Sequence, residues 1–63
     1  MFGDIVKKLR LSYNYSQVQL ANELSVSKQT VSNWENNNIL PSIEMLIKIA
    51  DFFSVSTDTL LEL

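Results

Sequence analysis

The sequence contains no cysteine and no histidine, and only one glycine and one proline, among its 63 residues. Without cysteine or histidine the chain cannot form a disulfide and lacks the usual ligands of zinc, so no metal site is expected. Stability has to come from apolar packing, for which a hydrophobic content of 46% is sufficient. Because Gly3 and Pro41 are the only residues of their kinds, the sequence favours helices joined by short turns.

Features of membrane proteins, secreted proteins and enzymes are missing as well. No apolar run approaches the ~20 residues that a membrane-spanning helix needs. The first residues include Asp4 and no basic segment of the kind that opens a signal peptide. No spacing pairs a nucleophile with a base, and no glycine-rich phosphate loop is present. We therefore expect a cytoplasmic protein without enzymatic activity, cofactor, membrane contact or small-molecule ligand.

Positive charge is scarce, because five lysines and arginines face seven aspartates and glutamates, which gives a net charge of −2. The charge is unevenly distributed: residues 1–15 carry +2, residues 16–38 carry −1 and residues 39–63 carry −3. A net negative charge argues against nucleic-acid binding, which is driven largely by the neutralisation of phosphates. Most of the acidic residues lie in the C-terminal segment, however, so a duplex bound near the N-terminal half would avoid them.

Two long stretches repeat their apolar residues with the spacing of an amphipathic helix, and they predict the first and fourth helices of the chain. We expect these residues to face the core: in the first stretch Phe2, Ile5, Val6, Leu9 and Tyr13, and in the second Ile43, Leu46, Ile47, Ala50 and Phe53. Shorter apolar sets predict the inward faces of the second helix, at Leu20, Ala21 and Leu24, and of the fifth helix, at Leu60 and Leu61.

Serine residues mark where four of the helices begin. Ser16, Ser27, Ser42 and Ser56 each precede a helical segment and can accept a hydrogen bond from a free backbone N–H. Gln19, three residues after Ser16, completes a capping box. Residues 36–38 are three consecutive asparagines, which favour a turn. The sequence thus predicts an all-α, compact five-helix domain over residues 1–63, in which the second and third helices form a helix-turn-helix.

The third helix is unusually polar for a helix of a small domain. Between Lys28 and Glu35 only Val31 and Trp34 are apolar, and several residues of this segment are mediocre helix formers. Four of its polar residues share one face of the helix: Lys28, Gln29, Ser32 and Asn33. Neither burial nor helix propensity explains these residues, whereas hydrogen bonding to a partner molecule does.

Double-stranded DNA is a partner that fits this chemistry. In a helix-turn-helix the second helix of the motif places its N-terminal residues in the major groove. There glutamine and asparagine can bind adenine, lysine can donate to guanine, and a threonine methyl can contact thymine. Gln17, at the start of the preceding helix, can reach the same groove edge. The N-termini of both helices and residues 36–38 offer further donors to phosphates.

The same residues resemble a known family. The runs 16–21 and 26–36, followed by Pro41, Leu46, Ile49, Ala50, Val55 and Ser56, are similar to the lambda-repressor/Cro family, also called the xenobiotic-response-element helix-turn-helix family. The resemblance covers nearly the whole chain. It implies a five-helix bacterial or phage transcription regulator, commonly a repressor, that binds a DNA operator as a homodimer.

The resemblance also implies roles for individual residues. By position, the base or groove contacts would be Gln17, Lys28, Gln29, Thr30 and Asn33, to which the shared helix face adds Ser32. The phosphate contacts would be Ser16, Ser27, Asn36 and Asn38, and the asparagine turn adds Asn37. Members of the family often pair an arginine of the first helix with the glutamate that closes the third, and Arg10 and Glu35 occupy those positions.

Two positions depart from the family pattern. Ser25 stands where the family often has glycine at the end of the second helix, so we expect strain in that turn. Asn37 replaces a glycine that is common after the Glu–Asn pair, and this departure is mild because asparagine tolerates the left-handed conformation.

Two questions stay open at the level of sequence. The rival function is a helix-turn-helix domain that has lost DNA binding and docks a partner protein; the net charge favours it and the polar third helix does not. The chain is either a minimal regulator or the N-terminal part of a longer one. In both cases we expect weak dimerisation through apolar residues near the fifth helix, such as Leu61 and Leu63.

Overall fold

A computed structural model describes residues 1–62, which form five helices and no strand. The helices are α1 (Phe2–Ser12), α2 (Gln17–Leu24), α3 (Lys28–Glu35), α4 (Ile43–Phe53) and α5 (Thr57–Leu61). The all-α fold with five helices predicted from the sequence is confirmed. In the part of the chain described, no helix is long and apolar enough to cross a membrane.

The four serine N-caps are confirmed. The side chains of Ser16, Ser27, Ser42 and Ser56 each accept a hydrogen bond from the backbone N–H three residues further on. At Ser16 the Gln19 side chain also accepts from the backbone N–H of residue 16 at 2.8 Å, which completes the capping box. Each cap satisfies a donor that a helix start would otherwise leave without a partner, so the helix boundaries are fixed by local chemistry.

The ends of α1 to α4 share one geometry. A residue with φ between 57° and 60° lies one or two positions after each helix, and these residues are Asn14, Ser25, Asn37 and Ser54. In each case the next residue donates its N–H to the carbonyl five positions earlier, as Val26 does to Ala21 at 2.9 Å. This is the Schellman motif, in which glycine is the usual left-handed residue. The chain uses asparagine and serine at these four positions instead of glycine.

The core lies where the inward faces of all five helices meet. Its buried apolar residues are Phe2, Val6, Leu20, Ala21, Leu24, Val31, Trp34, Ile49, Ala50, Phe53 and Leu60. In this core α3 packs against both α1 and α2, and α5 packs against α1 and α4. Two sides of α3 are therefore held by neighbouring helices, and the remaining side is free to face outward.

The inward face of α4 differs from the one predicted. Ile43 is 76% exposed and Ile47 is 49% exposed, whereas Ile49 is fully buried. The actual face runs through Leu46, Ile49, Ala50 and Phe53. The prediction was wrong because α4 is apolar on nearly every side, so the 3.6-residue period fits more than one face.

One further residue was assigned incorrectly from sequence. Tyr13 follows α1 in a turn and is 43% exposed, with its hydroxyl donating to the Phe53 carbonyl at 2.9 Å. Lys48 is exposed, and it donates from Nζ to the Leu24 carbonyl at 2.9 Å. It thereby caps a carbonyl at the end of α2, where a positive charge is favourable.

Candidate nucleic-acid interface

The turn between α2 and α3 is short and fully specified. Ser25 takes the left-handed conformation at the C-cap of α2, and Ser27 is the N-cap of α3. Only Val26 therefore separates the two cap residues. Val26 is half-buried and packs against the core. The relative orientation of α2 and α3 is therefore set by two hydrogen-bonded helix ends rather than by a loop.

A buried ion pair joins α1 to the end of α3. Arg10 donates from Nε to Oε2 of Glu35 at 2.6 Å and from Nη2 to Oε1 at 3.0 Å, which makes the pair bidentate. The side chains are only 8% and 3% exposed. Arg10 also donates from Nη1 to the Tyr15 carbonyl at 2.8 Å. The structure thus brings together the two residues that the family resemblance pairs, and it buries them.

Gln17 belongs to the same network. Its amide nitrogen donates to Oε1 of Glu35 at 3.1 Å, so the first residue of α2 is bonded to the last residue of α3. This hydrogen bond uses one amide hydrogen of Gln17 and leaves its carbonyl oxygen as an acceptor. Gln17 is half-buried, and the Arg10–Glu35 pair holds its side chain at the N-terminus of α2.

The N-terminus of α1 contacts the C-terminus of α3 without an intervening side chain. A Cβ atom added at Gly3 would lie less than 3.0 Å from the carbonyl oxygens of Trp34 and Glu35. The backbone N–H of Gly3 donates to Oδ1 of Asn37 at 2.9 Å. Only glycine permits this approach, and the asparagine after α3 caps α1 in return. Asn37 keeps its amide nitrogen as a donor, while its oxygen is used within the fold.

The outward side of α3 carries the polar residues singled out in the sequence. Lys28 and Gln29 are exposed, and Thr30, Ser32 and Asn33 are half-buried. None of these five side chains belongs to the core, which takes only Val31 and Trp34 from the apolar residues of α3. Gln29 donates from its amide nitrogen to Oδ1 of Asn33 at 3.1 Å, one turn along the helix. Lys28, Gln29 and Asn33 therefore do not pack into the domain's own neighbouring helices.

The hydroxyl and amide groups predicted to contact phosphates lie at the edges of this surface. Ser16 and Ser27 are exposed at the N-termini of α2 and α3, where their oxygens are engaged as caps. The Ser27 hydroxyl also lies 2.9 Å from that of Thr30. Asn36 and Asn38 are exposed at the opposite end of α3. The predicted residues thus lie at the start of α2 and at the two ends of α3.

The surface formed by α2 and α3 is less negative than the net charge of the whole chain indicates. Residues 16–38 contain one cation, Lys28, and two anions, Glu23 and Glu35. Glu35 is buried against Arg10, so its charge is neutralised inside the fold. The exposed charges of the segment are then Lys28 and Glu23. The acidic residues at 44, 51, 58 and 62 lie on α4 and α5 or just after α5.

Several positioning contacts have no clear signal in the sequence. These contacts are the close approach at Gly3, the hydrogen bond from Arg10 to the Tyr15 carbonyl, and the one from Lys48 to the Leu24 carbonyl. They join residues distant in sequence or use backbone carbonyls. The one available signal is that the only glycine of the chain stands inside a helix, where glycine is unfavourable without a packing reason.

Comparison with known proteins places this geometry in a family. A helix-turn-helix family model matches residues 6–60. The HTH-type transcriptional activator BcrR of Enterococcus faecalis is 42% identical over 60 residues, covering 95% of this chain and 29% of its own length. The HTH-type transcriptional regulator YonR, derived from the SPbeta prophage in Bacillus subtilis, is 37% identical over 62 residues, covering 98% and 57%.

A phage repressor is among the relatives too. The transcriptional repressor RstR of the cryptic phage CTXphi in Vibrio cholerae is 37% identical over 51 residues, covering 81% of this chain and 46% of its own length. The chain thus spans between about a third and somewhat over half of these three relatives. With a family model that covers most of the sequence and an architecture that fits it, the chain belongs to the Cro/C1-type helix-turn-helix family of DNA-binding transcription regulators.

Proposed function

We propose that this domain binds a specific double-stranded DNA operator, with α3 in the major groove, as a homodimer on an inverted repeat. The observation that carries the proposal is the outward polar side of α3, held rigid by the buried Arg10–Glu35 pair and by the cap at Ser27. A helix that stands free of the core on one side, with hydrogen-bonding side chains on that side, matches the recognition helix of the motif.

Each polar residue has a role in this proposal. The base or groove contacts are Gln17, Lys28, Gln29, Thr30, Ser32 and Asn33. The phosphate contacts are Ser16, Ser27, Asn36, Asn37 and Asn38. The backbone N–H groups at the starts of α2 and α3 point out of the helix ends and add further donors for phosphate oxygens. Because the caps and the ion pair preorganise these groups, little ordering is needed when DNA binds.

The weak electrostatics of a single copy support the proposed homodimer. One domain presents few cations to the phosphates, and counterion release is the main source of sequence-independent affinity. Two copies on adjacent half-sites double the contacts without adding charge to either domain. Leu61 of α5 is half-buried and remains a candidate dimer contact, while Leu63 lies outside the described residues.

Selection of bound duplexes from a random pool tests the proposal. We expect an inverted repeat whose half-sites lie about 34 Å apart, one turn of DNA, and a sedimenting complex that contains two protein chains per duplex. Recovery of no common sequence would contradict the proposal. A single half-site with one chain bound would contradict the dimer and leave sequence-specific binding intact. We further propose that the protein acts in the cytoplasm, where it can reach such an operator.

The rival is a helix-turn-helix domain that binds a protein instead of DNA, and net charge is the observation in its favour. The salt dependence of DNA affinity separates the two functions. Affinity that falls steeply between about 50 and 200 mM salt supports phosphate contacts. Weak binding that is equal for every sequence and insensitive to salt supports the rival.

A further inference from the structure

Two amide side chains on the outward side of α3 are bonded to each other. Gln29 and Asn33 stand one helical turn apart, and the 3.1 Å hydrogen bond runs from the Gln29 nitrogen to the Asn33 oxygen. Gln29 is exposed and Asn33 is half-buried. The bond therefore fixes a long, exposed side chain against a shorter one that the helix surface already restrains.

This internal bond decides what the pair presents outward. It uses one hydrogen of Gln29 and one lone pair of Asn33, and it leaves the Gln29 carbonyl oxygen and the Asn33 amino group available. If both amide groups were rotated by 180°, so that each oxygen and nitrogen exchanged places, the pair would still present one carbonyl oxygen and one amino group. In either arrangement the bonded pair presents one acceptor and one donor from residues that stand one helical turn apart on α3.

Adenine is the base whose major-groove edge matches this pattern. It offers the N6 amino group as a donor and N7 as an acceptor, whereas guanine offers two acceptors at N7 and O6. Cytosine presents only a donor and thymine only an acceptor and a methyl group. A neighbouring acceptor and donor on the protein therefore complement adenine best among the four bases.

We propose that Gln29 and Asn33 act as one reading unit that selects adenine at a single base pair of each half-site. This rests on the proposed function, in which α3 lies in the major groove. The unit differs from two independent amides, each of which could bind an adenine of its own. As a unit, the two residues read the same base pair, and removal of either one destroys the match.

The test uses the duplex that wild-type protein selects, with each base pair of the half-site replaced in turn. Wild type should prefer A·T over G·C at one position by roughly 5- to 150-fold, the discrimination of a good two-bond contact. Gln29→Ala and Asn33→Ala should each abolish the preference at that same position, and the double variant should lose nothing more. Asn22→Ala removes an exposed amide on α2 and should keep the full preference.

A second measurement examines the two adenine atoms. In the selected duplex, that adenine is replaced by 7-deazaadenine, which lacks N7, or by purine, which lacks the N6 amino group. Wild type should lose affinity for both duplexes, and the double variant for neither. Gln29→Met keeps the length of the side chain and should behave like Gln29→Ala, which excludes loss of packing as the cause. Thermal melts of all variants show whether each one is folded.

Several results would overturn the reading unit. One is that the two single variants relax preference at different base pairs, or that their losses add in the double variant. Another is that wild type tolerates either adenine analogue without loss. These results leave the operator itself intact, whereas a wild-type protein that selects no sequence refutes the proposed function together with this proposal.

Discussion

The guanidinium of Arg10 and the carboxylate of Glu35 are almost completely buried, yet each is supplied with partners. Three donor atoms from Arg10 and Gln17 converge on the two oxygens of Glu35, and Tyr15 accepts from Arg10. In the described residues, no buried side-chain polar atom is left without a hydrogen bond. Removal of one member would leave a buried charge unpaired, which is far more costly than the loss of an exposed ion pair.

Arg10→Ala should therefore destabilise the domain by roughly 3–5 kcal/mol. A chain of this length has a total unfolding free energy on the order of 3–9 kcal/mol, so the variant should be largely unfolded or melt far below wild type. Thermal unfolding followed by circular dichroism measures the change. Lys8→Ala, which removes an exposed cation of the same helix, is the control and should stay within about 0.5 kcal/mol of wild type. An unchanged midpoint for Arg10→Ala would contradict a structural role for the pair.

Lys28 is the one cation on the outward side of α3, and its loss should weaken binding to the selected duplex. We expect Lys28→Ala to lose roughly 1–3 kcal/mol of binding free energy and to reduce the salt slope by about one. Fluorescence anisotropy at several salt concentrations measures both quantities. Lys7→Ala on α1 has the same charge change and should leave affinity and slope as they are. Equal behaviour of the two variants would remove Lys28 from the interface.

At the scale of the helices, the boundaries follow from single residues. Serine caps, the capping box at Ser16 and the asparagine turn are local signals, which is why the starts of α2 to α5 could be predicted closely. Contacts between segments distant in sequence could not be predicted in this way. The sequence around Gly3 does not indicate that this residue packs against the backbone at the end of α3. Likewise, nothing local distinguishes Ile43 and Ile47, which are exposed, from Ile49, which is buried.

The left-handed serine after α2 predicts a stabilising substitution. Ser25 has φ 59°, a conformation that is unfavourable for residues with a Cβ and free of that strain for glycine. Ser25→Gly should stabilise the domain by roughly 0.5–1 kcal/mol, with part of the strain relief offset by the greater freedom of glycine in the unfolded chain. For a domain of this size that corresponds to a midpoint rise of about 2–8 °C. A lowered midpoint would show that this turn is not strained.

Gly3→Ala tests the contact between α1 and α3. The added Cβ would meet backbone carbonyl oxygens, which cannot move away as a flexible side chain would, so one helix has to shift. We expect a loss of roughly 1–3 kcal/mol, the usual range for overpacking. Urea unfolding gives the value, with Lys7→Ala as the neutral comparison on the same helix. If Gly3→Ala unfolds at the wild-type urea concentration, α1 does not approach α3 as described.

At the scale of the whole molecule, positive and negative charges are concentrated in different segments of the chain. The N-terminal segment is basic and the segment from residue 39 onward is acidic, so the molecule is electrically asymmetric although its net charge is only −2. The sequence predicted the family and the motif because those depend on spacing. Which polar side chains are free and which are tied into the fold, as the Asn37 oxygen and the Gln17 nitrogen are, needed the three-dimensional arrangement.

The central claim is that the outward side of α3 meets DNA. Titration of isotope-labelled protein with the selected duplex, followed by nuclear magnetic resonance of the backbone amides, tests it most directly. We expect the largest shifts at residues 16–18 and 27–33, with smaller changes at 36–38. Shifts concentrated on the exposed face of α4 around Ile43 and Ile47, with α3 unaffected, would contradict the claim.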